Sequence, residues 1–247
     1  MITGEIYKVR EACKHVGHLL NVMRERELKG VNLIEIDEFL AGYMGKNGLY
    51  AATLEHGLKG HACYSLNDEL AHGDVRDYIL KDDDILSLDV SLSLNGYYGD
   101  ACISKTIGEC TVESKMLVHA ARYAMFKGIE AAYIGNTPAD IGKATEEGAI
   151  GSFGYQPFKH LGGHFIGKSL HMEPFIPGYW DPKFDLHRLK EGDLLTVEPI
   201  IVESPLAADG EDYFLDGSTI KTSRGVRSAQ WEHTILITEN GPEILTV

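Results

Sequence analysis

Ile85-Leu86-Ser87-Leu88-Asp89-Val90-Ser91-Leu92-Ser93-Leu94 alternates apolar and polar residues, and Asn95-Gly96 and then Tyr97-Tyr98-Gly99-Asp100-Ala101-Cys102-Ile103 follow. Strict alternation is the period of a half-buried strand. Asn-Gly is a strong short-range hairpin signal, because both turn residues need positive φ. A two-residue turn at 95–96 sets residue 94 against 97, 91 against 100 and 89 against 102. Asp89 and Ser91 then share a face, and Asp100, opposite Ser91, joins them. Diagonal neighbours of this kind lie about 7–8 Å apart, near enough for two carboxylates to lean onto one cation. The other face, Leu86, Leu88, Val90 and Leu92, is apolar and is expected to cover helices. Two aspartates are costly to bury unless something positive neutralises them. The hairpin alone leaves two readings open: a solvated face, which Ser87, Ser91 and Ser93 favour, or a cation site.

Outward from the hairpin, Ile6, Val9, Cys13, Val16, Leu20 and Met23 recur at steps of three and four, which predicts a helix over 5–25. A second helix is expected over 33–44, and 50–73 reads as irregular. The order then repeats. A helix is expected over 112–133. Thr137 as N-cap with Pro138 at the first helical position opens another to about residue 150. A loop-rich stretch covers 153–190. Strands follow at 194–198 and 228–237, with a short one at the end. The order of elements predicts an α+β chain built from two similar halves. No low-complexity linker divides it, which favours one domain over residues 1–247.

The formal net charge of −14 argues against direct nucleic-acid binding, which needs a basic footprint. No apolar run is long enough for a membrane span, and no leader is evident. Cys13, Cys63, Cys102 and Cys110 show no paired spacing and read as free thiols of a reducing cytoplasm.

The second half adds two acids. Glu198 ends an apolar run before Pro199, and Glu232 sits among alternating polar residues Gln230 and Thr234. Each alone reads equally as an exposed glutamate. A duplicated architecture, however, brings the acid-bearing strands together. Four converging carboxylates repel one another, and two divalent ions about 3.5–4 Å apart resolve that. His164 lies among small residues in His160-Leu-Gly-Gly-His164-Phe-Ile-Gly167. Mixed carboxylate and imidazole ligation suits Mn, Fe, Co or Zn. One motif points elsewhere. Residues 162–169 fit the phosphate-loop expression GxxxxGK[ST], but no strand leads in and prolines follow, so a chance match is expected.

Together the motifs Asn67…His72-Gly73, Leu88-Asp89-Val90, Gly99-Asp100, Gly163-His164, His171-Met-Glu173-Pro174, Thr196-Val-Glu198-Pro199 and Ala229-Gln-Trp-Glu232-His233-Thr234 resemble those of type I methionine aminopeptidases, from about residue 4 to the C-terminus. The resemblance implies the pita-bread fold, a pseudo-twofold antiparallel sheet covered by helices, in a single metallopeptidase catalytic domain. It implies two divalent ions (Co, Mn, Fe or Zn) held by Asp89, Asp100, His164, Glu198 and Glu232, with Asp100 and Glu232 bridging and a water between the ions as nucleophile. Glu198 would be the general base, His171 would bind the substrate and its tetrahedral intermediate, and His72 would work near the scissile amide. Cys63 would line the substrate site. The expected activity is removal of the N-terminal residue, methionine, from new polypeptides. The expected partners are peptide or nascent-chain N-termini and the ribosome, met by a cytoplasmic monomer. The chain also departs from the family: Glu55 and Leu58 stand where tyrosines usually line the methionine pocket. Leu170 replaces an aromatic, Ser218 a tryptophan, and Phe165 a glycine. An aminopeptidase of altered or X-Pro specificity is therefore the first alternative, and a non-catalytic binding relative the second.

Overall fold

The computed structural model of the chain describes residues 3–208 and 213–247. The first half runs α1 (Thr3–Glu25), α2 (Leu33–Asn47), β1 (Tyr50–Ala51), α3 (Ala52–Glu55), β2 (Cys63–Leu66), β3 (Glu69–Ala71), β4 (Ile85–Leu94) and β5 (Tyr97–Thr106). The second runs α4 (Val112–Glu130), α5 (Pro138–Phe153), β6 (Gln156–Pro157), β7 (Gly163–Phe165), β8 (Met172–Ile176), β9 (Leu194–Val197) and β10 (Ile200–Val202). It closes with α6 (Pro205–Ala208), β11 (Tyr213–Asp216), β12 (Thr219–Thr222), β13 (Ser228–Gln230), β14 (His233–Thr238) and β15 (Gly241–Ile244).

Local signals account for the helices. At α2 the Asn32 side chain accepts from the Ile34 N–H at 3.0 Å while Glu35 accepts from the Asn32 N–H at 3.2 Å. This reciprocal cap satisfies donors that a helix start leaves open. Thr137 and Asp140 cap α5 in the same way, with Pro138 at its first turn. Both helices stop at a left-handed glycine, Gly48 and Gly154.

The hairpin has the expected register: Leu94 faces Tyr97, Ser91 faces Asp100, and Asp89 faces Cys102. Its apolar face packs on α1 in a core that continues through Leu117, Ala121 and Met125 of α4 and Val197 of β9. The approach of α1 is closest at Gly99, where an added Cβ would lie 2.7 Å from the Cys13 nitrogen. With Gly99 pressed against α1, its neighbour Asp100 faces the other way.

Three expectations need correction. Residues 50–73 are not irregular: β2 pairs with β4, setting Cys63 against Asp89, and β3 pairs with β12. These segments are three or four residues long and buried throughout, so they carry no alternation to read. The stretch 153–190 holds β6, β7 and β8, and β7 carries His164. The strand expected over 228–237 is broken at Trp231–Glu232. There Glu232 exchanges two backbone hydrogen bonds with Cys102, its N–H donating at 2.9 Å and its carbonyl accepting at 3.4 Å. Glu198 likewise sits in the gap between β9 and β10, beside a proline that cannot donate to a ladder. Both second-half acids thus lie at strand breaks rather than within strands.

The Cys102–Glu232 pair belongs to a seam joining the halves. The Thr234 hydroxyl donates to the Asp100 carbonyl at 2.7 Å, and the Ser104 hydroxyl donates to the Gln230 carbonyl at 2.8 Å. One half's sheet has the order β1-β4-β2 with β5 on β4, and the other's β15-β14-β9-β7-β8. Helices cover one face, and the acids lie on the other. This is the pita-bread fold.

Candidate metal centre

Asp89 from β4 and Asp100 from β5 meet Glu198 and Glu232 from the two breaks, and His164 from β7, in a cavity of ≈ 550 Å³ that Asp89, Asp100, His164 and Glu198 line. Side-chain alternation along the paired strands places the first two, as the sequence predicts. His164 Nε2 lies 3.6 Å from Asp100 Oδ2 and 3.4 Å from Glu198 Oε1. Asp100, His164 and Glu232 each offer one ligand atom within 4.8 Å of the others.

The local bonding leaves this cluster short of positive charge. Asp89 Oδ1, Asp100 Oδ1 and Glu232 Oε1 are buried without a hydrogen-bond partner. Burial first, and the neighbouring charge of Asp100 second, push the Asp89, Glu198 and Glu232 carboxyls well above their usual range. Burial raises Asp100 too. Leaving one buried acceptor unmet costs about 1–3 kcal/mol, more if it is charged. Three orphaned oxygens around one imidazole are a donor set that fits divalent cations.

His164 is oriented for this. Its Nδ1 lies 3.0 Å from the Phe165 carbonyl. A proton held there leaves the Nε2 lone pair facing the acids, the usual arrangement of a ligating imidazole. Burial lowers its pKa, which keeps the ring neutral. The Thr196 hydroxyl accepts from the His164 N–H at 3.1 Å and donates to Glu198 Oε1 at 3.0 Å. The Gln230 amide donates to Glu198 Oε2 at 3.2 Å. Both oxygens of Glu198 are therefore fixed. In the sequence Gln230 is only a polar alternate position and Thr196 carries no signal, since their value appears only once the strand breaks are known.

The remaining expected residues gather on the same cavity. The His171 ring is 4.6 Å from that of His164. Its pKa is lowered to about 4, by burial first and then by His164, His56 and His72. His72 has φ 55°, rare for a residue with a Cβ. Gly73 follows it so tightly that a Cβ there would meet the Tyr64 carbonyl oxygen at 2.3 Å. That bend ends β3 and brings His72 to the cavity wall. Cys63 is buried at the wall beside Asp89, and burial pushes its thiol pKa up. His56, which nothing in the sequence singled out, also lines the cavity, with its ring 5.6 Å from that of His171.

The departures from the family divide in two. Leu58 and Leu170 line the cavity. Glu55 and Ser218 do not: Glu55 is exposed and accepts from the Tyr98 phenol at 2.5 Å, and Ser218 donates to Asp74 at 3.0 Å. The phosphate-loop match dissolves, since the next element after β7 is the strand β8 and Lys168 pairs with Glu5.

Residues 7–239 match the model of metallopeptidase family M24. The methionine aminopeptidase of Clostridium perfringens is 32% identical over 245 residues, covering 99% of this chain and 96% of that protein. Methionine aminopeptidase 2 of Bacillus subtilis is 35% identical over 247 residues, covering 96% of each. The crystal structure of the methionine aminopeptidase from Rickettsia prowazekii superposes with a TM-score of 0.91 at 31% identity, covering 100% of this chain and 98% of that one. The prolidase from Pyrococcus furiosus shares the fold, with a TM-score of 0.76 at 23% identity over 99% of this chain and 64% of its own.

Proposed function

This chain belongs to metallopeptidase family M24, and from that premise we propose that it is a metal-dependent aminopeptidase of the methionine type, one catalytic domain over residues 1–247. The observation that carries the reading is the convergence of four acids and one histidine around orphaned carboxylate oxygens. Asp89, Asp100, His164, Glu198 and Glu232 would hold two divalent ions (Co, Mn, Fe or Zn). Such a pair supplies a Lewis acid for the scissile carbonyl and a lowered pKa for water.

The protein groups do the rest. Glu198, fixed by Thr196 and Gln230, takes the proton of the attacking water and passes it to the leaving amine. His171, neutral because its pKa is lowered to about 4, donates to the oxygen that gains charge as the carbonyl turns tetrahedral. His72 hydrogen-bonds the scissile amide. Cys63, Leu58 and Leu170 wall the space for the first side chain. The substrates are peptide N-termini, and by extension those of nascent chains at the ribosome, met by a cytoplasmic monomer. No helix among the described residues is long and apolar enough to cross a membrane.

A peptide panel tests this. Met-Ala-Ser, Leu-Ala-Ser and Ala-Pro peptides are offered to the chelated protein, and again after Mn²⁺ or Co²⁺ is added. Release of free methionine only after metal addition is expected. Preference for Ala-Pro identifies the X-Pro reading. No cleavage despite bound metal identifies a binding protein.

A further inference from the structure

Leu58 and His56 reach the cavity from a loop, residues 56–62, between α3 and β2. At its near end the loop is tied to α3. The Thr53 hydroxyl donates to the Gly60 carbonyl at 2.7 Å, and the Leu58 N–H donates to the Thr53 carbonyl at 2.9 Å. At its far end the tie is one carboxylate from α2, behind the loop. Asp37 accepts the His61 backbone N–H at 2.5 Å, lies 3.0 Å from the His61 ring Nδ1 and accepts the Tyr64 phenol at 2.8 Å. Burial and the charge of Asp37 hold that phenol far above its ordinary pKa, so it stays a donor. Gly60 has φ 88°, and a Cβ there would lie 2.9 Å from Asp37 Oδ1. The carboxylate thus leaves no room for a side chain at Gly60. Its donors, His61 and Tyr64, bracket Cys63, which lines the cavity and faces Asp89 across the sheet.

Asp37 is not among the residues lining the cavity. We propose that it is a positioning residue for the reaction. By gripping His61 and Tyr64 it fixes loop 56–62, and with it Leu58 and His56, and so sets which first side chain the enzyme accepts. Hydrogen bonds to a charged acceptor are about twice as strong as neutral ones. A loop held at His61 by two of them, on a carboxylate that Tyr64 braces from β2, keeps a defined wall, whereas a released loop must be ordered by each substrate it binds. The inference rests on the aminopeptidase reading for its substrate.

The test compares Asp37→Ala, Asp37→Asn and Tyr64→Phe with the parent enzyme loaded with Mn²⁺. The peptides differ only in the first residue: methionine, norleucine or leucine. Asp37→Ala should raise KM by about tenfold, the loss expected for a charged hydrogen-bond network, with kcat and metal content little changed. The methionine-to-leucine ratio of kcat/KM should shrink. Asp37→Asn, which keeps an acceptor oxygen, should recover part of both. Tyr64→Phe removes one bond without a cavity and should move both the same way by less; it decides the matter if Asp37→Ala does not fold. Unchanged KM and unchanged selectivity in Tyr64→Phe and in any folded Asp37 variant would overturn the proposal, even with a lowered melting temperature. Hydrogen exchange of amides 56–62 needs no turnover. If the parent cleaves nothing, faster exchange there in the variants supports the grip, and unaltered exchange rejects it. Failure of the aminopeptidase reading is thereby kept apart from failure of this one.

Discussion

At the scale of the residue, Glu198 combines two demands that ordinarily conflict. It is proposed to ligate metal and to move a proton, and its two oxygens have separate neutral donors, Thr196 and Gln230. Replacing Glu198 by Gln keeps the shape and the Thr196 contact but removes the base. A kcat loss of about 10²- to 10⁴-fold is expected, the usual worth of a positioned base, and metal titration by calorimetry should still show binding. A variant turning over at the parent rate would reject Glu198 as the base. Among these residues, Asp89 and Asp100 were legible from the sequence, because a two-residue turn and a period of two determine their shared face. His164, Glu198 and Glu232 were not. They sit on β7 and at two strand breaks, and no periodicity states where a ladder will be interrupted. The duplicated order of elements only suggests their convergence, and family resemblance supplies the rest.

At the scale of the element, the close approach of α1 takes the Gly99 face of β5, and strand alternation leaves Asp100 on the opposite face with the other proposed ligands. A Cβ at Gly99 would lie 2.7 Å from the Cys13 nitrogen and 2.9 Å from the Ala12 carbonyl carbon. Both are backbone atoms of a helix and cannot rotate aside. Gly99→Ala should therefore cost about 1–3 kcal/mol, the range for overpacking, read as a lowered urea midpoint. A midpoint equal to the parent's would show that α1 gives way freely. The long helices and the hairpin were legible because caps, a turn dipeptide and sustained periodicity all act locally. The three- and four-residue strands β2, β3 and β7 were missed. Buried throughout, they are defined by the partners they pair with, β4, β12, β8 and β9, and not by any period of their own.

At the scale of the whole molecule, the five proposed ligands divide between the halves: Asp89 and Asp100 in the first, His164, Glu198 and Glu232 in the second. Metal bound only by the assembled halves stabilises the fold by mass action, about 2.7 kcal/mol at a free concentration a hundredfold above Kd. The buried carboxyls of the metal-free protein have folded pKa values above their unfolded ones, whereas burial lowers those of His72, His164, His171 and His233. The two sets oppose each other between about pH 4 and 6.5. Above that range the histidines are neutral in both states, the folded state binds more protons through its carboxyls, and stability of the metal-free protein should fall as pH rises through their raised values. Adding Mn²⁺ to chelated protein near neutral pH should raise the melting temperature and release protons into weakly buffered solution. Absence of both effects would reject the metal centre. The seam at Cys102 and Glu232 gives this coupling a mechanical form. A backbone joint lies directly beside the proposed ligands, so the two halves could not part without drawing Glu232 away from Asp89 and Asp100. Cations held across that joint would act as its latch. Their escape and the opening of the sheet would then be a single event, and the time for which metal stays bound would be set by how often the middle of the protein comes undone.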